Sequence, residues 1–341
     1  MNLLPTPEQE ELVAAAARLL AAGAPVDGPP AAAREAGLEA RWAQMAGLGW
    51  FAIGVPTARG GSAGSTADQA LLFRELGRAL ASGPLLGTSL GIAVALAGGR
   101  DDLAGSLMAG ETTAGLAEPW HDASAAVAGQ ACLRGRFRVL EADGADYVTC
   151  LAPDGVALAP AAPVRAVARA LPAPDPSVAV ALADLEGVAT EVALPAGERA
   201  ARVASRGRLL AAALLVGVLE AVRDMSVTYA LSREQFGKPI GAFQAVKHRC
   251  ADMAVRAEAA GSLLWLAALS LDAQAPEAHR LAASAKALAS EYAVVSAHDN
   301  VQNHGGMGFT EECAAHLYVK RALEWSVTLG SPDVLLAEVA R

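Results

Sequence analysis

Aromatic side chains make up only 4% of this 341-residue chain, and its four cysteines are scattered. Cys132, Cys150, Cys250 and Cys313 form no CxxC pair, so neither a disulfide framework nor a zinc site is indicated. His298 and His304 stand at a spacing that does not share one helix face, and no metal site is expected. No run of basic residues alternates with aromatics and the net charge is −9, which speaks against nucleic acid as a partner. The longest apolar stretch, 209–222, includes Glu220 and is too short to span a bilayer. The N-terminus "MNLLPTPEQEELV" lacks the basic-then-apolar layout of a signal peptide. These absences lead us to expect a cytoplasmic protein with neither a membrane nor a nucleic acid as partner.

What the chain does have is alanine, within a composition that is 53% hydrophobic. Alanine is the best helix former and allows close helix contact, so a mostly α protein is expected. The length is a prior for about two domains and is ample for a sizeable core. Along the chain, "PEQEELVAAAARLLAAG", "EARWAQMAGLGWFAIGV" and "TADQALLFRELGRALASG" read as helices, with a Gly- and Ser-rich loop at 54–65. From about 111 the pattern changes. "CLRGRFRVLEADGADYVTCLA", "GVALAPAAPV", "PSVAVALADL" and "GVATEVALP" are short β-type segments broken by Gly, Pro and Asp, and they read as a small antiparallel β domain. From about 203 long runs apolar on more than one face suit the central helices of a bundle. The expected layout is therefore 1–110 helical, 111–202 β and 203–341 helical bundle.

The stretch "SREQFGKPIGAFQAVKHRCADMA" (232–254) interrupts the helical pattern at Phe236-Gly237-Lys238-Pro239, directly behind Arg233. Pro239 lacks an N–H and Gly237 takes left-handed angles cheaply, so a plain helix–helix turn accounts for it. A second stretch, "VQNHGGMGF" (301–309), adds another reading. Its glycines behind Gln302 let backbone approach a ligand closely, and Arg233 offers a planar fork suited to phosphate oxygens. Together they read as a cradle for a phosphate-bearing cofactor.

"REQFGKPIGAFQAVKHRCADMA" followed by "QNHGGMGF" resembles the C-terminal domain of the acyl-CoA dehydrogenase family. "MAGLGWFAIGVPTARGGSAGSTADQALLFRELGRAL" is similar to that family's N-terminal helical domain, and "AGLAEP" with "LRGRFRVLEADGADYVTCLA" to its β domain. The resemblance implies a mostly α fold with a central β domain: an N-terminal helical domain, a small β-barrel or sandwich, and a C-terminal four-helix bundle. It implies FAD, with the RxxFG and QxxGGxG stretches of one subunit holding the ADP half of a cofactor whose flavin sits mainly in the neighbouring subunit. On that basis Arg233 meets the pyrophosphate, Phe236 packs by the adenosine, and Gln244, Gln302, Gly305 and Gly306 line the rest.

The implied reaction is α,β-dehydrogenation of an acyl-CoA thioester, in which a carboxylate removes the α proton while hydride passes to the flavin. Both family locations for that carboxylate are empty here. The usual one falls on Leu329, before Gly330, and the minority one on Arg208, behind Gly207; neither is a usable base. The flavin-face motifs are altered as well. The first reads Ala117-Glu118-Pro119 followed by "WHDAS"; the second reads "GRFRVLE", with Val139 at the tryptophan and Glu141 at the threonine. A carboxylate beside a ring that gains negative charge is unfavourable. Catalytic residues are therefore expected to be none, while the FAD tail site is intact.

That selective loss points to a heteromer, resembling the short, base-lacking partner subunits of bacterial α2β2 acyl-CoA dehydrogenases that shorten steroid side chains. A homologous catalytic subunit then supplies the flavin pocket and glutamate and binds most of the acyl-CoA. An electron-transfer flavoprotein is the acceptor that the family implies. Two other readings stay open: a self-sufficient homo-oligomer with a displaced base among Glu141, Glu324 and Asp333, and a scaffold that has lost catalysis. Trp265 and Trp325 are expected in the core or an interface, and Lys320-Arg321 as a solvated or interface pair.

Overall fold

The computed structural model describes residues 4–21, 38–120 and 128–340. In chain order the helices α1 (Pro7–Ala21), α2 (Leu38–Gly47), α3 (Thr66–Arg78), α4 (Leu85–Ala97) and α5 (Asp101–Met108) precede the sheet. The sheet region holds β1 (Ala114–Pro119), β2 (Cys132–Leu140), β3 (Tyr147–Ala152), β4 (Gly155–Pro160), the helix α6 (Ala161–Val167), β5 (Arg169–Ala170), β6 (Val180–Ala189) and β7 (Val192–Pro195). Then follow α7 (Glu198–Ser232), β8 (Glu234–Gln235), β9 (Lys238–Pro239), α8 (Gln244–Asp272), α9 (Ala278–His304), α10 (Ala315–Val327) and α11 (Pro332–Val339). The described residues fall into two compact units, one drawn from 4–21, 67–81 and 208–340 and the other from 38–66, 82–120 and 128–207.

In the second unit a seven-stranded sheet runs in the order β5-β6-β2-β1-β3-β4-β7. Its inner strands β1, β3 and β4 are buried almost throughout, whereas the first half of β2 exposes Arg134 and Arg136 and its second half, Phe137 to Leu140, is buried. The sheet is not purely antiparallel, because β1 pairs parallel with β3 (Ala117 opposite Cys150) while β2 takes its other edge antiparallel. One face carries a core cluster of Ala117, Phe137, Val139, Val148, Cys150, Ala157 and Val164. The helix α4, apolar nearly all round, lies close on β1: a Cβ on Gly87 would stand 2.2 Å from the Ala114 carbonyl oxygen. Glycine there is what allows the contact.

The first unit is a packing of small side chains. Residues 209–219 of α7 are all buried, which a 35-residue helix achieves only when neighbours cover every face. Two glycines make that possible. A Cβ on Gly77 of α3 would lie 2.0 Å from the Leu214 carbonyl oxygen, and one on Gly217 of α7 would lie 2.0 Å from that of Arg74. The two helices thus meet backbone to backbone. Asp272 at the end of α8 accepts from the Ala67 N–H at 3.0 Å and so satisfies one of the unpaired donors at the start of α3. The helix α8 is long and apolar enough, by length and composition, to cross a membrane. Met253, Ala257, Ala260, Leu264, Ala267 and Ala268 instead bury one side of it within the unit.

Cβ clashes predict opposite signs for two helix glycines. Gly77→Ala should destabilise by about 1–3 kcal/mol, the usual cost of overpacking. Gly261→Ala, whose Cβ would meet nothing nearer than Val216 at 4.0 Å, should stabilise by roughly 0.5–1 kcal/mol through helix propensity. Urea unfolding of the two variants beside the parent checks both.

Candidate functional site

The interruption after α7 is a β-hairpin. The Arg233 N–H donates to the Tyr229 carbonyl at 2.8 Å, still in helical register, and the Ile240 N–H closes the loop on the Arg233 carbonyl at 2.8 Å. Between them β8 pairs with β9 around a two-residue turn, Phe236 (φ 54°) and Gly237 (φ 75°). Left-handed angles at both turn residues match the twist of a tight hairpin. The turn holds Phe236 in the open, 92% exposed, with its ring edge-on to Phe243 at 6.0 Å. Lys238 Nζ stands 4.5 Å over the Phe243 ring. Arg233 is exposed and makes no ion pair among the described residues.

The second stretch lies at the end of α9. Gln302 is exposed on the last turn, and Gly305 (φ 60°, ψ −137°) breaks the helix in a conformation suited to glycine. A Cβ on Gly305 or Gly306 would meet nothing within 4 Å, so their backbone faces open space. Gly308 differs: its Cβ would stand 2.6 Å from the Val301 carbonyl, which makes it a packing glycine. Phe309 behind it is 82% exposed.

Arg233, Phe236, Gln244, Gln302, Gly305 and Gly306 are thus all exposed on the same unit. Specific contacts fix their supports. The Phe236–Phe243 contact sets the hairpin tip against the residue before Gln244. Arg249, in the second turn of α8, donates to Asn303 Oδ1 at 2.8 Å, the residue after Gln302. Arg256 joins α8 to α9 through Asp299 at 2.7 Å, which also faces Arg249 at 3.5 Å. Phe243, Arg249, Asp299 and Asn303 were missed from the sequence; for the last three the partners lie 43 to 54 residues away, where no local spacing signal reaches.

The sheet unit is arranged differently. Ala117 and Val139, opposite each other on β1 and β2, are 0% and 3% exposed inside the core cluster. Glu118 and Arg138, the next cross-strand pair, form an ion pair with both side chains close to 10% exposed. Glu141 follows β2 at φ 51°, and its carboxylate accepts from the Gly83 N–H at 2.9 Å. Of "WHDAS", only Trp120 lies within the described residues.

The two empty base positions are occupied by well-anchored side chains. Leu329 is 8% exposed with φ 59°, between Ser326 in the last turn of α10 and Gly330, whose carbonyls accept from the fully buried Lys286 at 3.1 and 3.4 Å. Arg208 makes a two-pronged bond to Glu338 of α11 at 2.7 and 2.8 Å. Of the displaced-base candidates, Glu141 is committed to Gly83, Glu324 is 3% exposed within α10, and Asp333 sits exposed in the first turn of α11. Lys320-Arg321 is not the solvated or interface pair expected from sequence. Arg321 is 2% exposed and donates to the Ala81 carbonyl at 2.8 Å, because α10 turns that side chain inward. Trp325 is buried and Trp265 half-buried.

Residues 6–105 match the model of the acyl-CoA dehydrogenase N-terminal domain, and residues 196–341 that of the acyl-CoA dehydrogenase C-terminal domain. Acyl-CoA dehydrogenase IpdE2 of Mycobacterium tuberculosis is 33% identical over 85% of this chain and 81% of its own length. The chain belongs to the acyl-CoA dehydrogenase family. Acyl-CoA dehydrogenase FadE34 of the same organism is 35% identical over 82% of this chain, which spans only 39% of that relative. Among solved structures, the ChsE4-ChsE5 complex from Mycobacterium tuberculosis superposes with a TM-score of 0.85 at 22% identity, covering 100% of this chain and 98% of that one. The Tcur3481-Tcur3483 steroid ACAD G363A variant gives 0.81 at 24%, covering 98% and 96%. At such identities these likenesses speak for the fold.

FAD is the cofactor of this family. The residues present fit it on one side only. A free guanidinium, an exposed ring and an open glycine backbone suit the ADP end. The flavin-face positions do not fit: Ala117 and Val139 are filled into the core, and Glu141 lends its carboxylate to Gly83.

The hairpin's geometry carries a local prediction. Gly237→Val forces a β-branched residue to φ 75° and should cost about 1–2 kcal/mol within the turn. Hydrogen exchange at the Ile240 amide should quicken, while the exposed hairpin leaves the thermal midpoint within a degree or two of the parent.

Proposed function

We propose that this chain is the non-base-bearing subunit of a heteromeric acyl-CoA dehydrogenase, lending its ADP-side half-site to FAD held by a homologous catalytic subunit. The observation that carries the reading is the contrast between the two sides. The ADP side stays exposed with its guanidinium unpaired, whereas the flavin side is packed with apolar side chains. A site meant for a cofactor bound elsewhere keeps only what reaches across.

In this reading Arg233 pairs with the pyrophosphate, Phe236 lies along the adenosine, and Gln244, Gln302, Gly305 and Gly306 line the remainder. Arg249 and Asp299 hold the two helix ends at fixed spacing, so the cradle is set before the cofactor arrives. When bound, FAD supplies the hydride acceptor for dehydrogenation. The α-proton base comes from the partner, since Leu329 cannot take a proton and Arg208 is already paired with Glu338. The partner binds most of the acyl-CoA, in an α2β2 assembly located in the cytoplasm, with an electron-transfer flavoprotein as acceptor. The division into 1–110, 111–202 and 203–341 belongs to the same proposal. A steroid side-chain CoA thioester is the proposed substrate, a choice supported by the steroid ACAD among the structural likenesses. That the two likenesses carry paired names, one of them titled a complex, supports the heteromer.

Flavin content tests the reading. Purified alone, the folded chain should be colourless; co-expressed with its catalytic partner it should yield about one FAD per pair of unlike subunits. Arg233→Ala should weaken FAD in the complex roughly ten- to hundredfold, the worth of charge-assisted bonds of about 1.5–3 kcal/mol. Stoichiometric FAD on the lone chain would overturn the proposal.

A further inference from the structure

Two rings to which the nucleotide half-site gives no role stand directly behind it. Tyr229 sits one turn before Arg233 at the end of α7, and His304 is the last residue of α9, just before Gly305. The rings stack with centroids 4.3 Å apart and 22° between their planes. The contact ties the arginine arm to the glycine turn, which come from distant parts of the chain.

Both helices end at this contact. Beyond Tyr229, Leu231 and Ser232 are exposed and only Ala230 of the last turn is buried. A helix end so thinly covered frays unless something holds it. What hangs from it is the hairpin: the Arg233 N–H donates to the Tyr229 carbonyl, and the Arg233 carbonyl takes the Ile240 N–H, each at 2.8 Å. On the other helix the imidazole is oriented as well as packed. His304 is 8% exposed, and its Nδ1 lies 2.8 Å from the Asn300 carbonyl oxygen; a carbonyl only accepts, so the ring proton sits on Nδ1. Asn300 is itself fully buried, and its Oδ1 accepts at 2.8 Å from the Oγ of Ser226, one turn before Tyr229. The ends of α7 and α9 are thus clasped twice in succession, and the outer clasp is the aromatic pair. Arg249 fixes the neighbouring Asn303 from α8, so the stack adds what that bond lacks, a link to the arm.

We propose that the Tyr229–His304 stack is the positioning contact of the half-site, holding Arg233 and the Gly305–Gly306 backbone in one arrangement so that a nucleotide's diphosphate meets both at once. The inference rests on the half-site reading and adds two residues to it. Each ring acts through its neighbour in the chain, not by touching the nucleotide. A site assembled from two separate segments gains affinity when they are ordered before the ligand arrives, because less freedom is then lost on binding.

ADP and adenosine, titrated into the full-length chain and followed by calorimetry, test it. The parent should prefer ADP by roughly ten- to hundredfold, the worth of the arginine's charge-assisted bonds. Tyr229→Leu should erase that preference, and Tyr229→Phe, which keeps the ring, should retain it. In combination with Arg233→Ala the loss from Tyr229→Leu should shrink, since a positioning residue matters little once the group it positions is gone. His304→Leu reaches the same contact from the other helix and serves should Tyr229→Leu not fold. A folded leucine variant that keeps the ADP preference, or losses that simply add, would overturn the inference and leave the half-site standing. Equal affinity of the parent for the two probes, or an ADP affinity indifferent to Arg233→Ala, would overturn the half-site and the inference with it.

Discussion

The contact on which the helical unit depends is backbone on backbone: α3 against α7 through Gly77 and Gly217, each with a carbonyl 2.0 Å from where its Cβ would be. Helices that close leave no room for a side chain at the crossing point, which is why glycine stands at 77 and 217. The tight seam leaves residues 209–219 of α7 with no exposed face. It fixes the helix that ends at Ser232 and hands the chain to the hairpin. An exposed two-residue turn gains from such a rigid base, to which the Ile240–Arg233 closure, the Phe236–Phe243 contact and the α8–α9 bonds add further support.

The two sides of the site obey different physics. At the hairpin and after α9, exposure dominates: Phe236 and Phe309 put large apolar surfaces in water. At the sheet positions that the family resemblance assigns to the flavin, the side chains present belong to the core. Val139 packs among Phe137 and Val148, and Glu141 turns back to satisfy the backbone near the start of α4. The base positions follow the same logic. Leucine fills its loop, and arginine there would be an exposed cation without Glu338.

Much of this was legible in the sequence because it is local. Helical and strand periodicity, the punctuation at Gly237 and Pro239, and the glycines after Gln302 each act within a few residues. The hairpin was half legible: the break could be read, but left-handed angles at Phe236, a residue that seldom adopts them, could not. Arg321 was misread because charge alone argues for the surface, whereas the inward face of α10 and the Ala81 carbonyl decided otherwise.

The sequence by itself determined the family and the fold class, and that a leucine and an arginine stand at positions 329 and 208, since residue identity is enough for each. Only the tertiary structure decided which groups are satisfied. That Glu141 is spent on Gly83 and that Arg249 holds Asn303 depend on partners from distant elements. Hydrogen bonding acts over about 3 Å in space, and no spacing along the chain encodes it.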